Sequence, residues 1–163
     1  MIDSMRPCSM RQSIENLDEQ FADLHKRSCE LASRLSHESL YVKPAPAQDS
    51  CGEQLLRSAA VVEQSFGGLT ANLWDDPFEW TLPETLNTPA KVQEYLAEVE
   101  ATRRHAFSAL ETDADLAKEI MTPAGSTQLL PFLLDTFQRA RHHQAQAVAI
   151  YGVLVSERLT TDH

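Results

Sequence analysis

The sequence lacks the residues and segments that define several large classes of protein. It contains three cysteines, Cys8, Cys29 and Cys51, which form neither a C-x-x-C pair nor a zinc spacing, and their odd number and wide separation give no disulfide framework. No window approaches the roughly 20 apolar residues of a membrane-spanning helix, and the first residues have no apolar signal core. We therefore expect a cytoplasmic protein with reduced thiols and no membrane association.

Positive charge is also scarce. The chain has 14 lysines and arginines against 24 aspartates and glutamates, a formal charge of −10, and its longest basic runs are RR at 103–104 and RAR at 139–141. Because nucleic acids and anionic membranes attract basic surfaces, we expect neither as a partner. Motifs for a phosphate-binding loop, a dinucleotide fold, a serine hydrolase and an H-E-x-x-H metalloprotease are absent as well.

Four segments have the periodicity of amphipathic helices, with apolar residues at alternating steps of three and four. They are residues 12–36, residues 51–73, a segment that starts at Pro89 after a Thr88 cap, and residues 127–157. No segment has the alternation of a β-strand. The sequence predicts an all-α four-helix bundle, a single domain over residues 12–158 between a flexible tail at 1–11 and a C-terminal tail at 159–163.

Two features interrupt this pattern. Gly67 and Gly68 lie inside the second segment, where each costs about 1 kcal/mol relative to alanine. They mark a kink, a close helix contact or the true end of the helix. The connection WDDPFEWTLPETLN holds Trp74, Phe78 and Trp80, which predicts packing across one end of the bundle or into a subunit interface.

The stretches SCGEQLLRSAAVVE, residues 50–63, and RARHHQAQ, residues 139–146, resemble two motifs of the DinB/YfiT family of metal-dependent four-helix-bundle proteins. In that family one histidine of the second helix and two histidines of the fourth helix hold the metal. The resemblance puts these three positions at Arg57, Arg139 and His143. It implies a DinB/YfiT-type bundle, a homodimer and an ancestry among metal-dependent, thiol-using transferases.

Two of the three family ligand positions therefore hold arginine. Guanidinium has five N–H donors and no acceptor, and it stays protonated at physiological pH. Zinc, nickel and iron need imidazole, thiolate or carboxylate donors. We expect no metal cofactor. If a zinc or nickel ion binds nevertheless, the sequence favours His143 as a ligand, together with His142 and a carboxylate such as Glu53 or Glu63.

Adjacent helical residues point about 100° apart, so we expect His143 to face inward and His142 outward. The two arginines then converge with His143 where the family holds its metal. A buried cationic cluster needs a counter-charge. Glu63 and Asp135 are the internal partners that the sequence favours, and the alternative partner is an anionic ligand held by guanidinium.

Three functions follow from these patterns. The first is a DinB-like bundle without the three-histidine centre, which binds a small molecule, such as an anionic ligand, or is a degenerate enzyme. The second is an active metal-dependent transferase or hydrolase with altered ligands. The third is a structural or interaction protein, which is favoured if side chains fill the centre of the bundle.

Overall fold

The structure is a computed structural model that describes residues 10–79 and 83–161. Over these residues it contains four long helices: α1 (Gln12–Arg34), α2 (Cys51–Ala71), α3 (Pro89–Ser108) and α4 (Leu129–Thr161). A hairpin of strands β1 (Glu119–Thr122) and β2 (Gly125–Gln128) precedes α4, and 3-10 turns lie at Pro77–Glu79 and Asp113–Ala117. The predicted all-α class is confirmed. The N-terminal tail predicted at 1–11 lies mostly outside the described residues, whereas α4 continues into the C-terminal tail predicted at 159–163.

The helix ends follow the capping residues of the sequence. The Ser50 hydroxyl accepts from the backbone N–H of Glu53 at 3.1 Å, and the Glu53 carboxylate accepts from the backbone N–H of Ser50 at 2.7 Å, a complete capping box. Thr88 caps α3, with Pro89 in the first turn. Helix α2 ends two residues earlier than predicted because Asn72 adopts a left-handed backbone with φ of 56°.

The hairpin is an element that the sequence analysis missed. Its strands are antiparallel, with Ile120 opposite Thr127 and Thr122 opposite Gly125. Gly125 has a φ of 120°, a conformation that favours glycine at the turn. Each strand has only four residues, too few for an alternating pattern to be distinguished from a polar loop. Since β2 includes Thr127 and Gln128, α4 begins at Leu129 and not at residue 127.

Contacts between the helices fix their directions. Residues 51, 58 and 65 of α2 hydrogen-bond to residues 147, 140 and 136 of α4, so these two helices are antiparallel. Val62 and Leu96 line one cavity, and the rings of Phe66 and Phe107 lie 5.7 Å apart, so α2 and α3 are parallel. Parallel neighbours need a connection that returns along the length of α2, about 31 Å for its 21 residues.

The connection after α2 makes this return along the side of the helix. Trp74 packs on Gly68 and meets Phe132 of α4 edge-on, with ring centroids 5.9 Å apart. Further along, Phe78 lies under Arg57. The indole therefore has a site within its own chain, and Gly68 marks a close contact inside a continuous helix. Trp80, predicted to pack with these residues, lies outside the described residues.

Four phenylalanines, one from each long helix, meet at the centre, with neighbouring ring centroids 5.2 to 5.8 Å apart. They are Phe21, Phe66, Phe107 and Phe137. Such edge-on and tilted pairs add to the energy of burial. The core leaves little space. The cavity between α1, α2 and α3 has a volume of about 20 Å³, room for roughly one water molecule. None of the helices in the described part of the chain has both the length and the apolar composition needed to cross a membrane.

We expect Gly68→Ala to destabilise the protein, although alanine is the better helix former. A Cβ at residue 68 would lie 2.3 Å from the Trp74 ring, which is also held by a hydrogen bond to Asn72 and by Phe132. Overpacking of this kind costs about 1–3 kcal/mol of unfolding free energy, measurable by urea denaturation.

Gly152→Ala is the matched control, because no atom lies within 4 Å of the Cβ position there. It should stabilise α4 by up to about 1 kcal/mol. Equal stability of the two variants would show that Trp74 does not rest on Gly68.

Candidate functional site

Arg57, Arg139 and His143, the three positions that the resemblance singles out, lie on α2 and α4. His143 is half-buried, and its Nδ1 lies 2.8 Å from Oε1 of Gln54 on α2. Since an amide oxygen only accepts hydrogen bonds, this contact fits the neutral tautomer with its proton on Nδ1. His142 is exposed, with its Nε2 2.9 Å from Nε2 of Gln146. The helical geometry thus turns one histidine inward and the other outward, as expected.

Arg57 lies beside His143 but is held by residues that precede and follow its helix. Its Nε donates to Oδ2 of Asp49 at 2.9 Å, and its guanidinium carbon lies 4.0 Å from the centroid of the Phe78 ring. Gln54 donates to the same Asp49 oxygen at 2.9 Å. Asp49 therefore anchors both the guanidinium and the amide that meets His143. The sequence analysis named neither Asp49 nor Gln54 as site residues.

The two carboxylates predicted as counter-charges behave differently. Glu63 accepts a hydrogen bond of 2.5 Å from the hydroxyl of Tyr95 on α3, so it is not the partner of Arg57. Asp135 does face Arg139, with 3.7 Å between Oδ2 and Nη1. This separation is longer than a hydrogen bond. The Arg139 side chain is 52% exposed, and exposed ion pairs contribute only about 0–1 kcal/mol.

The surroundings of His143 disfavour its protonated form. Burial lowers the pKa of His143 most, and the positive charges of His142, Arg57 and Arg139 lower it further, against a smaller opposite effect of Asp49. The local potential disfavours a cation at His143. Across the residues that the structure describes, no three His, Cys, Asp or Glu side chains are placed to hold a metal ion.

A groove opens beside this site, between α2, α4 and the hairpin turn. This α2–α4 groove has a volume of about 440 Å³, and its lining includes Gln64, Trp74, Phe132, Asp135 and Arg139. Trp74 and Phe132 give it an aromatic wall, and the two charged residues lie at its α4 side. A volume of this size is typical of small-molecule sites. Arg139 thus belongs both to the surroundings of His143 and to a groove of ligand size.

A second charged group, which the sequence analysis missed, lies inside the bundle. Arg103 of α3 is buried; it forms a two-pronged pair with Glu100, at 2.8 and 2.6 Å, and also bonds Asp18 of α1. The sequence shows only an RR pair at an exposed-looking position, without a signal that one arginine is internal. Because both carboxylates are used, Arg103 has a structural role in joining α1 and α3.

The thiols of the described residues are not activated for nucleophilic chemistry. Cys29 and Cys51 are free. Burial raises the pKa of the Cys51 thiol to about 12, and burial together with the Glu100 carboxylate raises the pKa of Cys29. A thiolate is therefore scarce at neutral pH at either position. Cys8 lies outside the described residues.

No protein-family model matches the chain, and no curated protein matches it in sequence. The DinB/YfiT assignment therefore depends on the two short motifs alone.

We expect His143 to titrate below its ordinary value of 6.5, and we expect Arg57→Gln combined with Arg139→Gln to raise its pKa. The reason is the loss of two positive charges beside the imidazole. Because the folded pKa lies below the unfolded one, the contribution of His143 to stability is complete above about pH 6.5 and is lost as the pH falls through the folded pKa. Proton NMR of the imidazole Cε1–H measures the shift.

Arg158→Gln, in the last turn of α4, removes the same charge away from the site and should leave the pKa of His143 unchanged. A pKa that does not move in the double variant would show that the two arginines do not face His143.

Proposed function

We propose that the protein is a DinB/YfiT-type four-helix bundle that has lost its metal centre and binds a small carboxylate in the α2–α4 groove. The observation that carries the proposal is the pair of guanidiniums near His143, at the two positions where the family has imidazole ligands. Both lower the pKa of His143. The same positive potential that opposes a metal ion attracts an anion.

Arg139 is the residue that we assign to the anion. Its Nη1 is 3.7 Å from Asp135, so its guanidinium retains donors for a carboxylate, which it can bind with two parallel hydrogen bonds. Trp74 and Phe132 in the same groove fit an aromatic or flat apolar part of the ligand. Asp135, which also lines the groove, disfavours a dianion. A monoanion with an aromatic ring is the class that this charge balance supports.

The carboxylates that an altered metal site would need are already used. Glu53 caps the start of α2 and pairs with Lys43 at 3.5 Å. Glu63 is bonded to Tyr95. These contacts support the proposal that neither zinc nor nickel is a cofactor, and they weaken the alternative of an active metal-dependent transferase or hydrolase. We further propose a cytoplasmic location, which fits the free thiols of Cys29 and Cys51.

A structural or interaction protein remains the second candidate, and the nearly filled centre of the bundle favours it. The exposed large apolar side chains of the described residues are concentrated on α4: Leu130, Leu134, Val148, Val153 and Val155. Apolar surface that is exposed along one helix is typical of a subunit contact. Since Trp74 lies against its own chain, α4 now gives a better reason than the aromatic connection to propose a homodimer.

The proposed function is tested in two arms, one for the metal and one for the anion. Calorimetry with zinc compares the wild type with the variant that combines Arg57→His and Arg139→His. The wild type should bind zinc no better than its scattered histidines allow, whereas the variant gains two imidazoles, which with His143 make three, and should bind one ion about tenfold tighter or more. Tight one-to-one binding by the wild type would refute the loss of the metal centre, and no gain in the variant would refute the convergence.

The second arm measures benzoate binding by NMR at the Trp74 indole N–H, with benzyl alcohol as the uncharged analogue. We expect benzoate to bind more tightly, and Arg139→Gln to weaken it by about tenfold or more, because hydrogen bonds to charged groups contribute about 1.5–3 kcal/mol. Arg158→Gln is the control. Equal binding of the two compounds, or benzoate binding that Arg139→Gln leaves intact, would contradict the anion site.

We expect a homodimer in solution, with a mass of about twice the 18.2 kDa of one chain. Leu134→Glu should shift it toward the monomer because a charge would be buried in the contact. Val42→Glu, at an exposed apolar residue away from α4, is the control. Light scattering at micromolar concentration measures both. A monomeric wild type would contradict the prediction.

A further inference from the structure

The two arginines of RAR at 139–141 face different neighbours. Positions two apart on a helix point about 200° from each other. Arg139 lies on the α2 side of α4, whereas Arg141 lies on the α1 side, where it bonds Gln144. There it lines a second groove, the α1–α4 groove, of about 370 Å³, together with Arg27 and Arg34 of α1. The proposed function does not use this groove.

A buried side chain positions Arg141. Gln144 is only 2% exposed, and its amide nitrogen donates to the backbone oxygen of Leu24 and the hydroxyl of Ser28, both at 2.7 Å. Its amide oxygen accepts from Nη1 of Arg141 at 2.5 Å. A fully bonded amide between two helices cannot turn without losing these contacts. The guanidinium is therefore fixed at the groove by a neutral partner, and its other donors remain for a ligand.

The α1–α4 groove has an excess of positive charge. Its lining has three arginines against one carboxylate, Glu30, in a chain with a formal charge of −10. Arg27 is paired with Asp23 at 2.7 Å, and Glu30 lies 4.0 Å from Lys26. Arg34 stands in the last turn of α1, where a basic residue is favoured in any case. Arg141 lies in the middle of α4, where the backbone has no unpaired carbonyl groups that would favour a basic residue.

The groove also has an apolar part. Val148 is 53% exposed beside Arg141, and Leu31, which is buried, forms part of the floor. A half-exposed valine next to a fixed guanidinium fits a ligand with both an apolar and an anionic group. Three guanidiniums supply more donors than the two oxygens of a carboxylate can use, whereas the three oxygens of a phosphate monoester can accept from all of them.

We propose that the α1–α4 groove binds a small phosphate monoester, with its phosphate held by Arg141 and Arg34 and its apolar part on Val148. Arg27 contributes a further positive charge at the same groove. This site shares no lining residue with the α2–α4 groove, and Asp135, which disfavours a dianion there, is absent from its lining.

The test uses the full chain and phenyl phosphate as the probe, with inorganic phosphate and phenol as its two halves. Calorimetry should show one-to-one binding of phenyl phosphate, tighter than that of either half. Arg141→Gln and Arg34→Gln should each weaken it by about tenfold, because each removes charged hydrogen bonds. Arg158→Gln is the matched control: the same substitution in the last turn of α4, outside both grooves, should leave the affinity unchanged.

Three results would overturn the proposal. One is phenyl phosphate binding that survives both Arg141→Gln and Arg34→Gln. Another is an equal loss in Arg139→Gln, which would place the probe in the α2–α4 groove. The third is a change of particle mass in Arg141→Gln without any effect on phenyl phosphate, which would assign this face to a second copy of the chain. Benzoate binding that responds only to Arg139→Gln separates this proposal from the proposed function, since either can then fail alone.

Discussion

The contact between α2 and α4 is the interaction on which the rest of the structure depends. Three small polar side chains of α2, spaced seven residues apart, hydrogen-bond to α4. Cys51 donates to the Ala147 oxygen, Ser58 donates to the Ala140 oxygen, and Ser65 accepts from the Thr136 hydroxyl. A seven-residue step returns to the same face of a helix, so the three form one line. Because the side chains are small, the two helices can pack closely, and within the described residues every buried side-chain nitrogen and oxygen has a hydrogen-bond partner.

The close approach of α2 and α4 also determines which residues meet beside the contact. It brings Gln54 within hydrogen-bonding distance of His143, and Arg57 of α2 and Arg139 of α4 both lower the pKa of that imidazole. It also makes α2 the central helix, covered by α3 on another face. Since α2 and α3 are parallel, the chain must return along α2, and this return places Phe78 under Arg57. The candidate site is thus a product of helix direction as much as of the residues that compose it.

Local features of the sequence predicted the fold well, and features that depend on distant contacts did not appear in it. The Ser50 and Thr88 caps and the helical periodicity act over a few residues, so the helix starts were predicted closely. Gly68 left three meanings open, because only the return of Trp74 onto α2 distinguishes them. Strands of four residues gave no alternation to detect.

The candidate site likewise has features that the sequence predicts and features that it does not. That guanidinium cannot bind a metal follows from its chemistry, and no structure is needed for that step. The counter-charge of Arg57 could not be predicted with equal success. Glu63 lies at a suitable distance in sequence, but its position on α2 turns it toward Tyr95 of α3. Asp49, which precedes the helix, accepts the hydrogen bond of Arg57 instead. Partners of this kind depend on which face of a helix each neighbour covers.

The pKa of His143 shows the effect of the two arginines. An imidazole in a metal site is held by the ion and loses its proton to it. Here the imidazole is kept neutral by burial and by surrounding positive charge, while its Nδ1 is bonded to an amide oxygen. The field that makes a proton unfavourable on His143 makes a divalent cation less favourable still, because the repulsion scales with charge. The same field stabilises a negative charge placed beside it. The two guanidiniums thus make the surroundings of His143 more favourable for an anion than for a metal ion. Because Arg139 is half-exposed and Arg57 is paired with Asp49, the bundle accommodates both charges without burying either one alone.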